Sequence, residues 1–187
     1  MSRVIYETAT SFDGYIADEN NSLDWLFTVP GGTEPDPELA PPQASIQVMG
    51  STTYEWVLNQ LNAIDAPDEW AKAFGKTPVF VFTSRRLPTP DGSTVGFLNG
   101  KISDALPQLR EAAAGGDIWV VGGGDLAGQF MDSQALDRLV FTIAPVALGS
   151  GAQLLPRRVE SDRLTLTSVK QIGQFARLSY EVSYKNH

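Results

Sequence analysis

At 187 residues, with 14 Lys and Arg against 22 Asp and Glu for a formal charge of −8, the chain is long enough for one domain with its own core and acidic enough to repel a phosphate backbone. It has no Cys and one His, the terminal His187, which removes thiol catalysis, zinc ribbons, Ser-His-Asp triads and histidine-based metal sites and leaves proton chemistry to carboxylates, Tyr, Lys or water. Without a signal-peptide-like start or any run approaching the roughly 18 apolar residues of a membrane span, the expectation is a cytoplasmic protein with no metal and no nucleic-acid or membrane partner.

Residues 4–10 are rich in β-branched and aromatic side chains and run into Phe12, Asp13 and Gly14, which predicts a strand ending in a turn. Over 20–43 the composition shifts to turn formers, with Pro30, Pro35, Pro37, Pro41, Pro42 and the pair Gly31-Gly32; a stretch this long is either a functional lid or disordered. Residues 46–49 predict a short buried strand. Gly50 and Ser51 then lead into a helix whose apolar positions Tyr54, Val57, Leu58 and Leu61 follow the i, i+3, i+4, i+7 rule, with Thr52 and Glu55 as a capping-box pair. The apolar run 79–83 is of the kind that parallel sheets bury on both faces, and Ser84, Arg85 and Arg86 stand at its end. A helix over about 103–114 precedes a strand at 118–121, the triplet Gly122-Gly123-Gly124, and a helix through Leu126, Phe130 and Met131. Residues 137–144, 163–171 and 175–184 read as strands without intervening helices, the last two forming a hairpin around Gly173. The whole predicts one α/β domain over 1–187, its mixed, mostly parallel sheet ending in an antiparallel hairpin.

Ligands of open α/β sheets bind beyond the carboxyl ends of the strands, where helix N-termini aim N–H groups at anions. Three such ends carry suitable residues. Gly122, Gly123 and Gly124 admit close backbone approach, although Gly122, Gly124 and Ala127 spell only the GxGxxA variant of a phosphate loop, and a tight turn explains the triplet equally well. Gly50, Ser51, Thr52 and Thr53 offer hydroxyls and free N–H groups at a second helix start, where ordinary capping is the alternative. Ser84, Arg85 and Arg86 supply cations where a ribose phosphate could lie, or form a solvated strand end.

The ordered motifs SFDGYIA (11–17), MGSTTYE (49–55), VFTSR (81–85), VVGGG (120–124), LDRL (136–139) and APVALGSG (144–151) resemble the dihydrofolate reductase superfamily. The similarity is greatest to the reductase domain of bifunctional riboflavin-biosynthesis deaminase-reductases. The resemblance implies a three-layer dihydrofolate-reductase-like fold, NADPH as cofactor, and hydride transfer to a small heterocyclic or sugar-linked C=N or C=O substrate, as in 5-amino-6-(5-phosphoribosylamino)uracil reduction. A non-catalytic NADP(H)-binding protein of the same fold is the alternative. Carried over by position, Ala9 and Ile16 would flank the nicotinamide carboxamide through their backbones. Gly50, Ser51, Thr52 and Thr53 would lie on the diphosphate side, Ser84 and Arg85 at the adenine ribose, and Gly122, Gly123, Gly124, Asp125 and Leu126 around the diphosphate. Ser51 stands where the family often has Arg or Lys, so preference for NADPH rests on Arg85 or Arg86. Asp125 would repel phosphate unless its side chain turns away to cap the helix. The resemblance also implies a homodimer, for which the alternation of Leu164 and Leu166 with Thr165 and Thr167 supplies an apolar face.

Two carboxylates are candidates for the acid that hydride addition requires. Asp13 resembles the Asp of the riboflavin-pathway motif, and is also an ordinary turn residue. Glu7 shares a strand face with Ile5 and Ala9, so it faces the substrate if Ala9 meets the nicotinamide; otherwise it sits on a solvated edge. Asp24 and Trp25 would lie on the lid.

Overall fold

The computed structural model describes residues 2–34 and 36–184; His187 lies outside them. In chain order the elements are β1 (Val4–Ser11), β2 (Tyr15–Ala17), α1 (Asp24–Phe27), a 3-10 turn (Pro37–Leu39), β3 (Ile46–Gly50), α2 (Ser51–Gln60), α3 (Pro67–Phe74), β4 (Val79–Phe82) and β5 (Val95–Leu98). They continue with α4 (Ile102–Ala113), β6 (Ile118–Gly122), α5 (Gly124–Asp132), β7 (Arg138–Ala144), β8 (Ala152–Gln153), a second 3-10 turn (Ser161–Arg163), β9 (Leu164–Ile172) and β10 (Phe175–Val182).

Eight strands form one sheet in the order β5-β4-β3-β6-β1-β7-β10-β9, while β2 and β8 pair separately. From β5 to β7 every neighbouring pair is parallel; β10 runs antiparallel to both β7 and β9. The sheet is therefore mixed and mostly parallel and closes in the expected hairpin, whose turn uses Gly173 at φ +57°. That left-handed conformation is one that glycine adopts without a Cβ penalty.

Because strand side chains alternate, the two faces carry different cores. Val4, Tyr6, Val48 and Val120 meet Ile102 and Leu109 of α4 and Leu126 and Phe130 of α5. On the opposite face Met49, Val79 and Val81 meet Tyr54 and Leu58 of α2 and Trp70 of α3. Helices α2 and α3 leave the β1-β7-β10 part of that face open. There the Pro-rich segment supplies the cover, with Val29 buried against Ala144 and Phe175 and with Trp25, Leu26 and Leu39 packed around them. Lys170 of β9 holds this cover from outside through a 2.7 Å ion pair with Glu38.

The sequence reading omits α3, β5 and the β2–β8 pair. Each is short and takes its conformation from a neighbour: β5 is a four-residue edge strand held in register by β4, and Trp70 of α3 stacks on Phe74 and meets Tyr54 edge-on. The capping box does not form. Helix α2 is capped by Gly50 without a side-chain bond, and Glu55 turns instead to Arg85. On the outermost strand β9, Leu166 and Val169 remain largely exposed. Among the described residues no helix is long and apolar enough to cross a membrane.

Candidate active site

A cleft of about 740 Å³ opens at the carboxyl ends of β3 and β6, between the N-termini of α2 and α5. Gly50, Ser51, Thr52 and Thr53 form one wall, and Gly122, Gly123, Gly124, Asp125 and Leu126 the other. The β2–β8 pair, with Ile16, closes the side. The N–H groups that open each helix have no intrahelical partner and lie along this cleft. The walls come close: a Cβ added to Gly50 would stand 3.8 Å from the Gly123 nitrogen.

The three consecutive glycines do different work. A Cβ on Gly124 would come within 2.2 Å of the Gln153 carbonyl oxygen, so glycine is required there for α5 to pack against β8. A Cβ on Gly123 would meet only Ile16 Cδ1, at 3.9 Å, and Gly123 has an ordinary φ of −82°. Its missing side chain leaves room in the cleft rather than relieving strain. The Gly122–Gly123 peptide bond is cis.

Asp125 does not cap the helix. Its carboxylate accepts from Gln129 Nε2 at 2.8 Å and pairs with Arg157 at 3.0 Å, contacts that hold its pKa below the usual range despite some desolvation. Arg157, which sequence reasoning missed, thus cancels the charge that would repel an anion at the glycine turn. Ser84 and Arg85 fall outside the cleft lining, which is reached from β4 by Phe82. Arg85 Nη1 and Nη2 donate in a bidentate fork to Glu55, so the guanidinium is already engaged.

A second cavity, a chamber of about 270 Å³, lies beneath the Pro-rich cover on the α2–α3 face of the sheet and meets the cleft at Thr8, which lines both. Ala9 lines the chamber and Ile16 the cleft, so these two residues fall on either side of the junction. Glu7 lies on the chamber face, 8% exposed, and accepts from Arg177 Nη2 of β10 while Arg177 Nη1 donates to Thr142 of β7. Burial raises the Glu7 pKa, and the hydrogen bond and charge of Arg177 oppose that rise. Trp119 of β6 closes the wall, its indole N–H donating to the Glu7 carbonyl at 3.0 Å. Arg177, Thr142 and Trp119 were missed as well. Period-two alternation in 175–182 puts Arg177 on the Phe175 face, but only sheet order brings it to a residue 170 positions away.

Asp13 is absent from both cavities. Its carboxylate accepts from Ser11 Oγ at 2.5 Å and from the Leu148 and Gly149 nitrogens, tying the end of β1 to the loop after β7. Those bonds, that of Ser11 foremost, lower its pKa, which suits a turn acceptor and not a proton donor. Asp24 begins α1, and Trp25 packs on the cover's core.

The chain matches the RibD C-terminal domain over residues 2–176. It is 29% identical over 185 residues to the uncharacterized protein YwjB of Bacillus subtilis, covering 95% of this chain and 97% of that one. Among solved structures, a putative riboflavin biosynthesis protein from Shewanella sp. PV-4 superposes with a TM-score of 0.73 at 26% identity, over 98% of this chain and 100% of the other. Dihydrofolate reductase from Enterococcus faecalis, solved in complex with NADP(H), shares the fold at 14% identity, with a TM-score of 0.60 over 97% of both chains. The three-layer architecture is thus that of dihydrofolate reductase, and by the extent of its match the chain belongs to the RibD C-terminal domain family.

Proposed function

We propose that this protein is an NADPH-dependent, riboflavin-pathway-like reductase that reduces a C=N or C=O bond of a small heterocyclic molecule. The observation that carries this reading is the junction at Thr8 between a cleft set between two helix starts and a smaller chamber, a shape suited to a dinucleotide meeting a substrate. The cleft fits a diphosphate through the space above Gly123, the two helix N-termini and the neutralised Asp125. When bound there, NADPH supplies the hydride. The chain's own residues do the remainder: Ile16 and Ala9 border the junction, and Glu7, paired with Arg177, accepts a hydrogen bond from the substrate. The substrate's proton then comes from water. Asp13 keeps the Leu148–Gly149 loop in place. The Glu7–Arg177 pair, facing the chamber beside the cleft, favours a catalytic protein over one that only binds the nucleotide.

Titrating NADPH fluorescence against the purified protein tests this directly. Saturable binding is expected, and its absence would remove the cofactor and with it the activity. The exposed Leu166 and Val169 further support a homodimer through β9. A light-scattering mass near 20.3 kDa at micromolar concentration would exclude it.

A further inference from the structure

Among the described residues that line the chamber, only Glu7 and Arg177 are charged, and each answers the other. Arg177 uses one Nη2 bond on Glu7 and one Nη1 bond on Thr142, so its remaining N–H groups are left for a ligand. Glu7 Oε2 accepts no hydrogen bond among the described residues, and it is not sealed from the chamber. An N–H donor therefore stands beside a carboxylate acceptor, complementary to the adjacent C=O and N–H of a cyclic amide or ureide. Trp119 and Phe175 add aromatic surface, and Leu39 of the cover adds an apolar one. Arg138 of β7 adds its charge beside Glu7 and is itself paired with Glu181 at 4.0 Å, so a phosphate would find each of these cations already facing a carboxylate.

We propose that the chamber takes a neutral, unphosphorylated planar heterocycle by laying its amide or ureide edge on Glu7 and Arg177, and that it rejects phosphorylated and other anionic forms of the same ring. This rests on the reductase reading and names its substrate class, which differs from the phosphoribosylated compound expected from resemblance. Glu7 sets the discrimination: its charge cancels that of Arg177 and thereby excludes anions.

The Trp119 indole N–H, bonded to the Glu7 carbonyl, reports on this wall by ¹⁵N NMR, its resonance assigned with Trp119→Phe. The full chain is titrated with uracil, 1,3-dimethyluracil, orotate and uridine 5′-monophosphate, with and without saturating NADPH. Uracil should bind at least about tenfold more tightly than the other three, about 1.4 kcal/mol or more. Equal or tighter binding of orotate or the nucleotide overturns the exclusion of anions; equal binding of the dimethyl compound overturns the edge. No response to uracil overturns the chamber assignment. In Glu7→Gln, orotate should gain on uracil by about tenfold, and an unchanged preference overturns the role given to Glu7. Should that variant melt below working temperature, the parent's four-ligand series still decides. A separate NADPH titration keeps the two readings apart. NADPH binding without uracil binding sinks this inference and leaves the reductase, whereas selective uracil binding without NADPH binding does the reverse.

Discussion

The cleft and the chamber share Thr8, but the cleft is built around a glycine turn and two helix starts, whereas the chamber is built around an ion pair. Each main wall of the cleft is a strand end and the helix start that follows it in sequence, and Asp125, the one charged lining residue among the described residues, is paired with Arg157. The chamber draws Glu7, Trp119, Thr142 and Arg177 from four strands and depends on a buried ion pair. A site built on a glycine turn is sensitive to added volume, and an ion-paired site to lost charge. Variants of the two regions should therefore fail differently.

The largest effect is expected in the chamber. Arg177→Met leaves the Glu7 carboxylate buried without its partner, which costs about 3–5 kcal/mol for an uncompensated buried charge. Urea unfolding measures it, and the double variant Glu7→Gln/Arg177→Met should regain most of the loss. NADPH affinity of the folded protein should not change. A single variant as stable as the parent would show that the pair is not desolvated.

Gly123→Val and Gly124→Ala separate volume in the cleft from volume in the core. Gly123→Val should leave the melting temperature close to the parent's while lowering NADPH affinity about 100-fold, about 2.7 kcal/mol, because the side chain projects into open cleft. Gly124→Ala drives its methyl against the carbonyls of Gln153 and Leu154 and should cost about 1–3 kcal/mol of stability, the usual range for overpacking. If Gly123→Val bound NADPH normally, the diphosphate would have to lie elsewhere.

This contrast also explains what could be read before the fold was known. The Gly122–Gly124 turn, the start of α2 and the terminal hairpin are local, written in glycine placement and apolar period, so they were legible. For Glu7 the sequence leaves the substrate side and a solvated edge both open, and its partner is not legible, because Arg177 reaches it only once β7 lies between β1 and β10. Arg85 misled for a related reason: a cation at a strand end looks free until Glu55 of α2 takes it. The Pro-rich segment left lid and disorder equally open, and its packing of Val29 on Phe175 is again a long-range contact.

Arg85 provides a finer test of the cleft. If Glu55 competes with the 2′-phosphate of NADPH for this guanidinium, Glu55→Gln should raise NADPH affinity relative to NADH. Both side chains are more than a third exposed, so the gain is about 1 kcal/mol or less, roughly fivefold. Replacing Arg85 and Arg86 by Ala should weaken NADPH and spare NADH. An equal loss for both cofactors would point to damaged folding instead.

The smallest effect belongs to Asp13, outside both cavities, and its sign is fixed by the direction of its pKa. The carboxyl titrates at about 3.9 in the unfolded chain. In the fold, the bonds from Ser11 Oγ and the Gly149 and Leu148 nitrogens lower that value. The folded state therefore holds fewer protons than the unfolded state between the two values, and stability rises with pH across that window. The contribution is complete above about pH 4 and disappears as pH falls through the lowered folded value. Asp13→Asn removes it at every pH. Melting temperatures of parent and variant should accordingly differ most at pH 5 to 7 and converge toward strongly acid solution. A gap of constant size would mean that neutral hydrogen bonding, not charge, anchors the loop. If the melts coincided throughout while turnover fell by the roughly 10²–10⁴-fold of a lost acid, Asp13 would be the proton donor after all, and the loop carrying Leu148 and Gly149 would have to swing away to release it.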